Sequence, residues 1–158
     1  MMLAMTMPTS AQRPTSKEQL VGTWRVINLT ATSDGVVRKP LGDHPAGYVS
    51  ITPTRIWLLF VDSTRKLPAA ATLTDAEAVA AMKSHVAWTG RYVTSDAASD
   101  GVKLMAHVVT ASSEALIGND RIYFLRVEGA KLLMKSPSVI VPMTGALSVV
   151  DIELERAD

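Results

Sequence analysis

The chain has 158 residues, of which 47% are hydrophobic and 20% are charged, so it predicts one folded domain with a buried core rather than disorder. The 16 Lys and Arg residues against 15 Asp and Glu give a formal net charge of +1, and they are scattered, which argues against a nucleic-acid partner. Because cysteine is absent, disulfides, thiolate catalysis and cysteine-ligated metal sites are excluded.

Residues 1–16 are predicted to be a disordered tail that precedes a single domain over residues 17–158. The tail carries Pro8, Pro14 and several Ser and Thr residues. Residues 1–11 are either the end of a signal peptide, which predicts a periplasmic or secreted protein, or a plain tail on a cytoplasmic one. No run of about 18 apolar residues occurs, so no membrane-spanning helix is predicted.

Eight short runs rich in β-branched, aromatic and alternating apolar residues follow, separated by Gly, Pro, Asp and Ser. They cover residues 21–32, 48–52, 55–61, 90–95, 102–110, 121–127, 132–136 and 146–155. Most are predicted to pair with the next strand along the chain as sequential hairpins. The spacing predicts an all-β fold, an eight-stranded antiparallel up-and-down β-barrel, which has no free edges and is wide enough for one small ligand.

One short α-helix is predicted between the third and fourth strands, over residues 74–88. It begins with a Thr-x-x-Glu capping box, Thr74 and Glu77. Val79, Met82 and Val86 fall at positions i, i+3 and i+7, which predicts an apolar stripe that packs on the barrel.

Five motifs occur in order along the chain: LVGTWRVINL from Leu20, HPAGYVSITP from His44, WTGRYV from Trp88, AHVV from Ala106 and GNDRIYFLRVEGAKLLMKSP from Gly118. Together they resemble the lipocalin-like domain family of bacterial and fungal proteins. The resemblance implies a lipocalin-type barrel. Some barrels of this general kind bind hydrophobic small molecules, and others are cofactor-free cyclases or isomerases.

The first motif places Trp24 two residues after Gly22, at the start of the first strand. Glycine lets the chain enter the strand close to the preceding turn. On the lipocalin likeness, Trp24 is expected to plug the closed end of the barrel.

Alternation along the strands predicts which side chains face the interior. On the strand at 102–110, Met105 and His107 share one face and are candidates for the interior. On the strand at 121–127, Arg121 and Tyr123 are expected to point inward, because the opposite face carries a charged arginine that suits solvent. Three further aromatic residues are candidate ligand contacts from neighbouring strands, although the pattern does not define their faces: Tyr48, Trp57 and Tyr92.

A polar patch in an apolar cup is typical of small-molecule sites. The first predicted function is therefore binding of a small hydrophobic or amphipathic molecule, with Arg121 holding a carboxylate or enolate oxygen. The alternative is a cofactor-independent isomerase, cyclase or lyase in which His107 is the acid–base and Arg121 or Tyr123 stabilises negative charge. A buried histidine or a rim arginine with a purely structural role explains the same residues.

Two observations on the histidines argue against an enzyme and against a metal site. Family members often carry an acidic residue shortly after the histidine of AHVV, where Val109 stands here, so His107 lacks an orienting carboxylate nearby in the sequence. His44, His85 and His107 do not show the spacing of a zinc site. We therefore predict no metal and no cofactor.

The segment SPSVIVPMTG, residues 136–145, is unusually apolar for a loop. Val139, Ile140 and Val141 are predicted to form either a lid over the barrel mouth or a contact in a homodimer. The remaining alternative is a continuation of the preceding strand, broken at the prolines.

Overall fold

The computed structural model describes residues 15–66, 68, 70–97 and 101–157. Its ten strands are β1 (Gly22–Ser33), β2 (Val36–Arg38), β3 (Pro45–Ile51), β4 (Arg55–Asp62), β5 (His85–Ala97), β6 (Gly101–Ala111), β7 (Asp120–Glu128), β8 (Lys131–Lys135), β9 (Val139–Ile140) and β10 (Leu147–Arg156). The helices are α1 (Lys17–Leu20), α2 (Asp75–Lys83) and a 3-10 turn (Glu114–Leu116).

Eight of these strands form a closed barrel. They pair antiparallel in the order β1, β3, β4, β5, β6, β7, β8 and β10, and β10 pairs back onto β1 from Trp24 opposite Arg156 to Thr32 opposite Val149. The short strand β2 pairs with the last residues of β1, and the short strand β9 pairs with the first residues of β10. The predicted eight-stranded antiparallel barrel is confirmed, and closure satisfies the backbone groups that an open edge would leave unpaired.

Trp24 closes the barrel end that carries α1. Its side chain is 0% exposed, and its indole Nε1 donates a hydrogen bond of 2.9 Å to the carbonyl of Leu20 at the end of α1. The Arg156 guanidinium lies 4.2 Å from the centre of the indole ring. These contacts agree with the expectation that Trp24 plugs this end.

The helix prediction is right at its start and wrong at its end. Thr74 caps α2 as predicted, because its side chain accepts from the Glu77 backbone and Glu77 reaches back to the Thr74 backbone. The helix ends at Lys83, however, and His85 begins β5. The expected apolar stripe does not pack on the barrel, since Val79 is half exposed and Val86 belongs to the strand. Pairing with β4 and β6 overrides the local helix preference.

Residues 1–14, which make up most of the predicted tail, lie outside the described residues, as do residues 98–100. None of the helices in the described part of the chain is long and apolar enough to cross a membrane.

Candidate functional site

The barrel end opposite α1 is its mouth, and residues 137–146, here called the mouth loop, cover it. Beneath the mouth loop is a cavity of about 70 Å³. Its walls are mostly apolar and come from strands, the 3-10 turn and the mouth loop. The lining residues are Leu29, Leu58, Phe60, Val86, Trp88, Leu116, Arg121, Tyr123, Ile140, Val141, Pro142, Met143, Val150 and Ile152.

Arg121 and Tyr123 reach this cavity because of the register of β7. Arg121 pairs with Ala106 and Tyr123 pairs with Leu104, and both partners on β6 are completely buried. Directly paired residues on neighbouring strands project from the same face of the sheet. The inward orientation predicted for Arg121 and Tyr123 therefore agrees with the structure.

Tyr123 is held against Trp88, which faces it from β5. The two rings stack with their centroids 6.2 Å apart and an angle of 11° between their planes. Burial raises the pKa of the Tyr123 phenol, and the nearby Arg121 guanidinium and the Trp88 indole offset part of this rise. The hydroxyl is therefore a neutral hydrogen-bond donor near pH 7, beside a cation.

The raised pKa of Tyr123 predicts a loss of stability in alkaline solution. An unfolded tyrosine loses its proton near pH 10, whereas the buried one resists, so unfolding releases a proton above that pH. The contribution is fully present below about pH 10 and is lost as the pH rises toward the folded pKa. We expect the free energy of unfolding, measured in urea at pH 9 and pH 11, to fall less in Tyr123→Phe than in the wild type. Some loss should remain in the variant, because burial also raises the pKa of Tyr92. Equal losses in both proteins would contradict the prediction.

The interior placement predicted for Met105 and His107 is wrong. On β6 the buried residues are Val102, Leu104, Ala106 and Val108, and the alternate residues point outward. The side chain of His107 is 61% exposed. The inward direction of Arg121 requires this result, since Ala106 shares its face and residue 107 must then take the other.

Outside the barrel, His107 has a partner that the sequence did not indicate. Its Nδ1 lies 3.0 Å from Oδ1 of Asp120, the residue directly opposite on β7. Arg91 is its neighbour on β5, and a shallow depression of about 170 Å³ runs past these three side chains. The pair lies on the open outer wall, where charges are well solvated.

Tyr48 and Trp57, two of the candidate ligand contacts, also lie on the outer wall. They are 51% and 54% exposed, respectively. Their strands turn the alternate residues inward, with Val49 buried on β3 and Ile56 and Leu58 buried on β4. The structure therefore does not place Tyr48 or Trp57 at the cavity.

Tyr92 faces inward, but at the closed end of the barrel. Its hydroxyl donates a 2.7 Å hydrogen bond to the carbonyl of Thr52, and Lys17 of α1 lies 5.3 Å from the centre of its ring. Tyr92 thus seals the base, far along β5 from the cavity residues at its start. Of the side chains predicted to form the polar patch inside the barrel, only Arg121 and Tyr123 lie together at the cavity.

Several cavity residues escaped the sequence analysis. Trp88 was assigned to the helix, although buried residues recur at every second position from Trp88 through Gly90 to Tyr92 in β5. Phe60 was not singled out within its strand. The sequence left three alternatives for residues 139–141: a lid, a dimer contact or a continued strand. In the structure, Ile140 and Val141 line the cavity.

A larger depression, of about 530 Å³, runs along the outer wall beside β7, β8 and β10. Its charged side chains are matched to one another: Lys135 lies 3.4 Å from Asp151, and Arg126 pairs with Glu128 beside it. The mouth cavity differs because it is mostly apolar and its single charge faces no acid. No cluster of three or more potential metal ligands occurs among the described residues.

A family model described as a lipocalin-like domain matches residues 21–149. This range extends from the residue before β1 into β10 and includes every residue that lines the cavity except Val150 and Ile152. No curated protein and no solved structure matches the sequence.

Proposed function

Because the chain belongs to the lipocalin-like domain family, we propose that it binds a small hydrophobic or amphipathic molecule at the mouth of its barrel. The observation that carries this proposal is the composition of the mouth cavity. Apolar walls surround two polar groups, the Arg121 guanidinium and the Tyr123 hydroxyl. Small-molecule sites are typically apolar with a few placed polar groups that orient the ligand.

The size of the cavity implies that the mouth loop moves when a ligand enters. The cavity volume is about 70 Å³, whereas drug-sized ligands occupy pockets of about 300 Å³ or more. Inside the loop, the Val141 amide donates to the carbonyl of Ala146 and the Gly145 amide donates to that of Val141, at 3.1 and 2.8 Å. The loop also contains β9, which pairs with Leu147 and Ser148 at the start of β10. Lifting the loop therefore requires β9 either to separate from the start of β10 or to move together with it.

The enzymatic alternative has lost the residue on which it depended. It required an interior histidine as acid–base, and His107 projects from the outer wall. The cavity lining includes a cation and a phenol but no histidine and no carboxylate. Binding without chemistry is therefore the function that the geometry supports best.

Filling the cavity tests the proposal. Val150 lines the cavity, and Val149 is the adjacent residue on the opposite face of β10, opposite Thr32 of β1. We expect Val150→Phe to weaken binding of the amphipathic dye anilinonaphthalene sulfonate by about tenfold or more, because the added ring occupies the ligand's volume. The measurement is a fluorescence titration of the dye.

Val149→Phe is the matched control, since it adds the same ring to the outside of the barrel. It should bind the dye like the wild type. Equal affinity of Val150→Phe and Val149→Phe would place the dye elsewhere and contradict the proposed site, as would a wild-type protein that does not bind it.

The formation of a homodimer remains a prediction, as does the export of the protein from the cytoplasm. Ile140 and Leu147, which are 56% and 58% exposed beside the mouth, supply apolar surface for a dimer contact. Light scattering on the purified protein would measure its mass in solution.

A further inference from the structure

Arg121 is the only charged residue among those that line the mouth cavity. Its neighbours in the lining are aliphatic or aromatic, and Tyr123 supplies the one hydroxyl. A guanidinium at the edge of an apolar pocket has lost part of its hydration, and the apolar walls supply no opposite charge or hydrogen-bond acceptor in return. Its position therefore favours a ligand that carries the opposite charge.

The Arg121 side chain also has no ion pair or hydrogen bond within the described part of the chain. Two arginines on the outer wall of the barrel give a comparison. Arg126 lies on the same strand and pairs with Glu128, and Arg25 on β1 pairs with Glu155. These two arginines have acidic partners, whereas Arg55 and Arg91, which are exposed to solvent on the outer wall, have none among the described residues. Arg121 lies at the edge of an apolar cavity and keeps its donors for another group.

The Tyr123 hydroxyl adds a second donor beside the guanidinium. Arg121 and Tyr123 are two residues apart on β7, so their side chains project from the same face. The proximity of the guanidinium also lowers the pKa of the phenol, against the effect of burial. A planar guanidinium and a phenol on one side of a pocket suit the two oxygens of a carboxylate, which accepts hydrogen bonds from both.

The wall beyond these two groups offers no partner for a second charge. It consists of Leu29, Leu58, Phe60, Trp88 and Ile152, which lie deeper in the barrel than the mouth loop. A ligand that places its anionic group at Arg121 must direct an uncharged hydrocarbon part toward these residues. A dianion or a sugar would bury polar groups without partners.

From this arrangement we infer that the ligand is a monocarboxylic acid whose carboxylate binds Arg121 and Tyr123 and whose hydrocarbon part enters the barrel. This inference rests on the proposed function and names the chemical class of its ligand. The mouth loop limits the length of the hydrocarbon, because a cavity of about 70 Å³ is far smaller than the pockets of drug-sized ligands and a long chain requires the loop to lift.

The experiment compares acids with amides of the same length, from butyrate and butyramide to decanoate and decanamide, by isothermal titration calorimetry and by amide chemical shifts. A charge-assisted pair that the neutral amide cannot form should favour the acid on the order of 10- to 100-fold. In Arg121→Gln the acid should lose this advantage, while the amide binds as it does to the wild type. Retained amide binding also shows that the variant is folded.

Arg126→Gln is the matched control, because it removes an arginine from the outer face of the same strand. It should keep the preference for acids. Wild-type binding of acids and amides with equal affinity would overturn the carboxylate inference and leave the proposed cavity intact. Binding of neither series, at any length, would overturn the proposed function as well. A preference for acids that survives Arg121→Gln would also overturn the assignment to this residue.

Discussion

Replacement of Gly47 by alanine is expected to lower the free energy of unfolding by about 4 kcal/mol. Gly47 lies in β3 with a φ of +134°, and an added Cβ would lie 1.9 Å from the carbonyl oxygen of Leu59 on β4. That oxygen belongs to the backbone of the paired strand, so it cannot move without breaking the pairing of β3 with β4. Backbone strain and steric overlap act together at this position.

Two other glycines separate these two causes. Gly90 has no positive φ, but its Cβ would lie 2.2 Å from the carbonyl oxygen of His107, so Gly90→Ala tests overlap alone and should cost about 3 kcal/mol. Gly35 has a φ of +74° with no atom within 4 Å, so Gly35→Ala tests strain alone and should cost about 1 kcal/mol.

Urea unfolding followed by tryptophan fluorescence measures all three glycine variants. The expected order of destabilisation is Gly47→Ala, then Gly90→Ala, then Gly35→Ala. A Gly47→Ala protein as stable as Gly35→Ala would show that β3 and β4 are not in such close contact.

Trp24→Ala is expected to destabilise the protein by about 4 kcal/mol, which is the range for removing a buried aromatic ring. The ring is fully buried, so its loss leaves a void at the closed end of the barrel. The Leu20 carbonyl loses its 2.9 Å hydrogen bond, and the Arg156 guanidinium loses the ring over which it lies. The free energy of unfolding from denaturant titration is the measurement.

Trp57→Ala is the matched control, since it removes the same ring from the outer wall, where it is 54% exposed. It should cost about 0.5 kcal/mol or less. Trp24→Phe keeps most of the ring and removes the indole donor, and it should fall between the two. Similar losses for Trp24→Ala and Trp57→Ala would refute the role of Trp24 as the plug of the barrel.

Much of the barrel could be predicted from the sequence because the signals for strands and turns are local. Asp34 and Gly35, for example, both adopt a positive φ in the turn that ends β1, as their residue types suggest. The helix start was equally local, since Thr74 and Glu77 are three residues apart. The helix end was not, because residues from His85 onward gain their backbone partners from β4 and β6, which are distant in sequence.

The candidate site was predictable only in part. Arg121 and Tyr123 were oriented correctly because Arg126, on the other face of β7, gave an internal reference for solvent. On β6 the charged Lys103 shares the face of His107 and gave a similar reference, but the prediction placed that face in the interior. The other face, Val102 to Val108, is uniformly apolar, and this was the available signal that it is the core.

The sequence by itself thus determined the strand-rich architecture and the polar pair on β7, because each depends on residues a few positions apart, whereas the closing role of Trp24 was expected from the family resemblance. The tertiary structure decided which face of β6 is buried, and it brought Trp88 and the mouth loop to Tyr123 and Arg121. The physical reason is that side chains alternate with a period of two, so the register between strands, which local pattern does not define, sends every residue of a strand either to the core or to water.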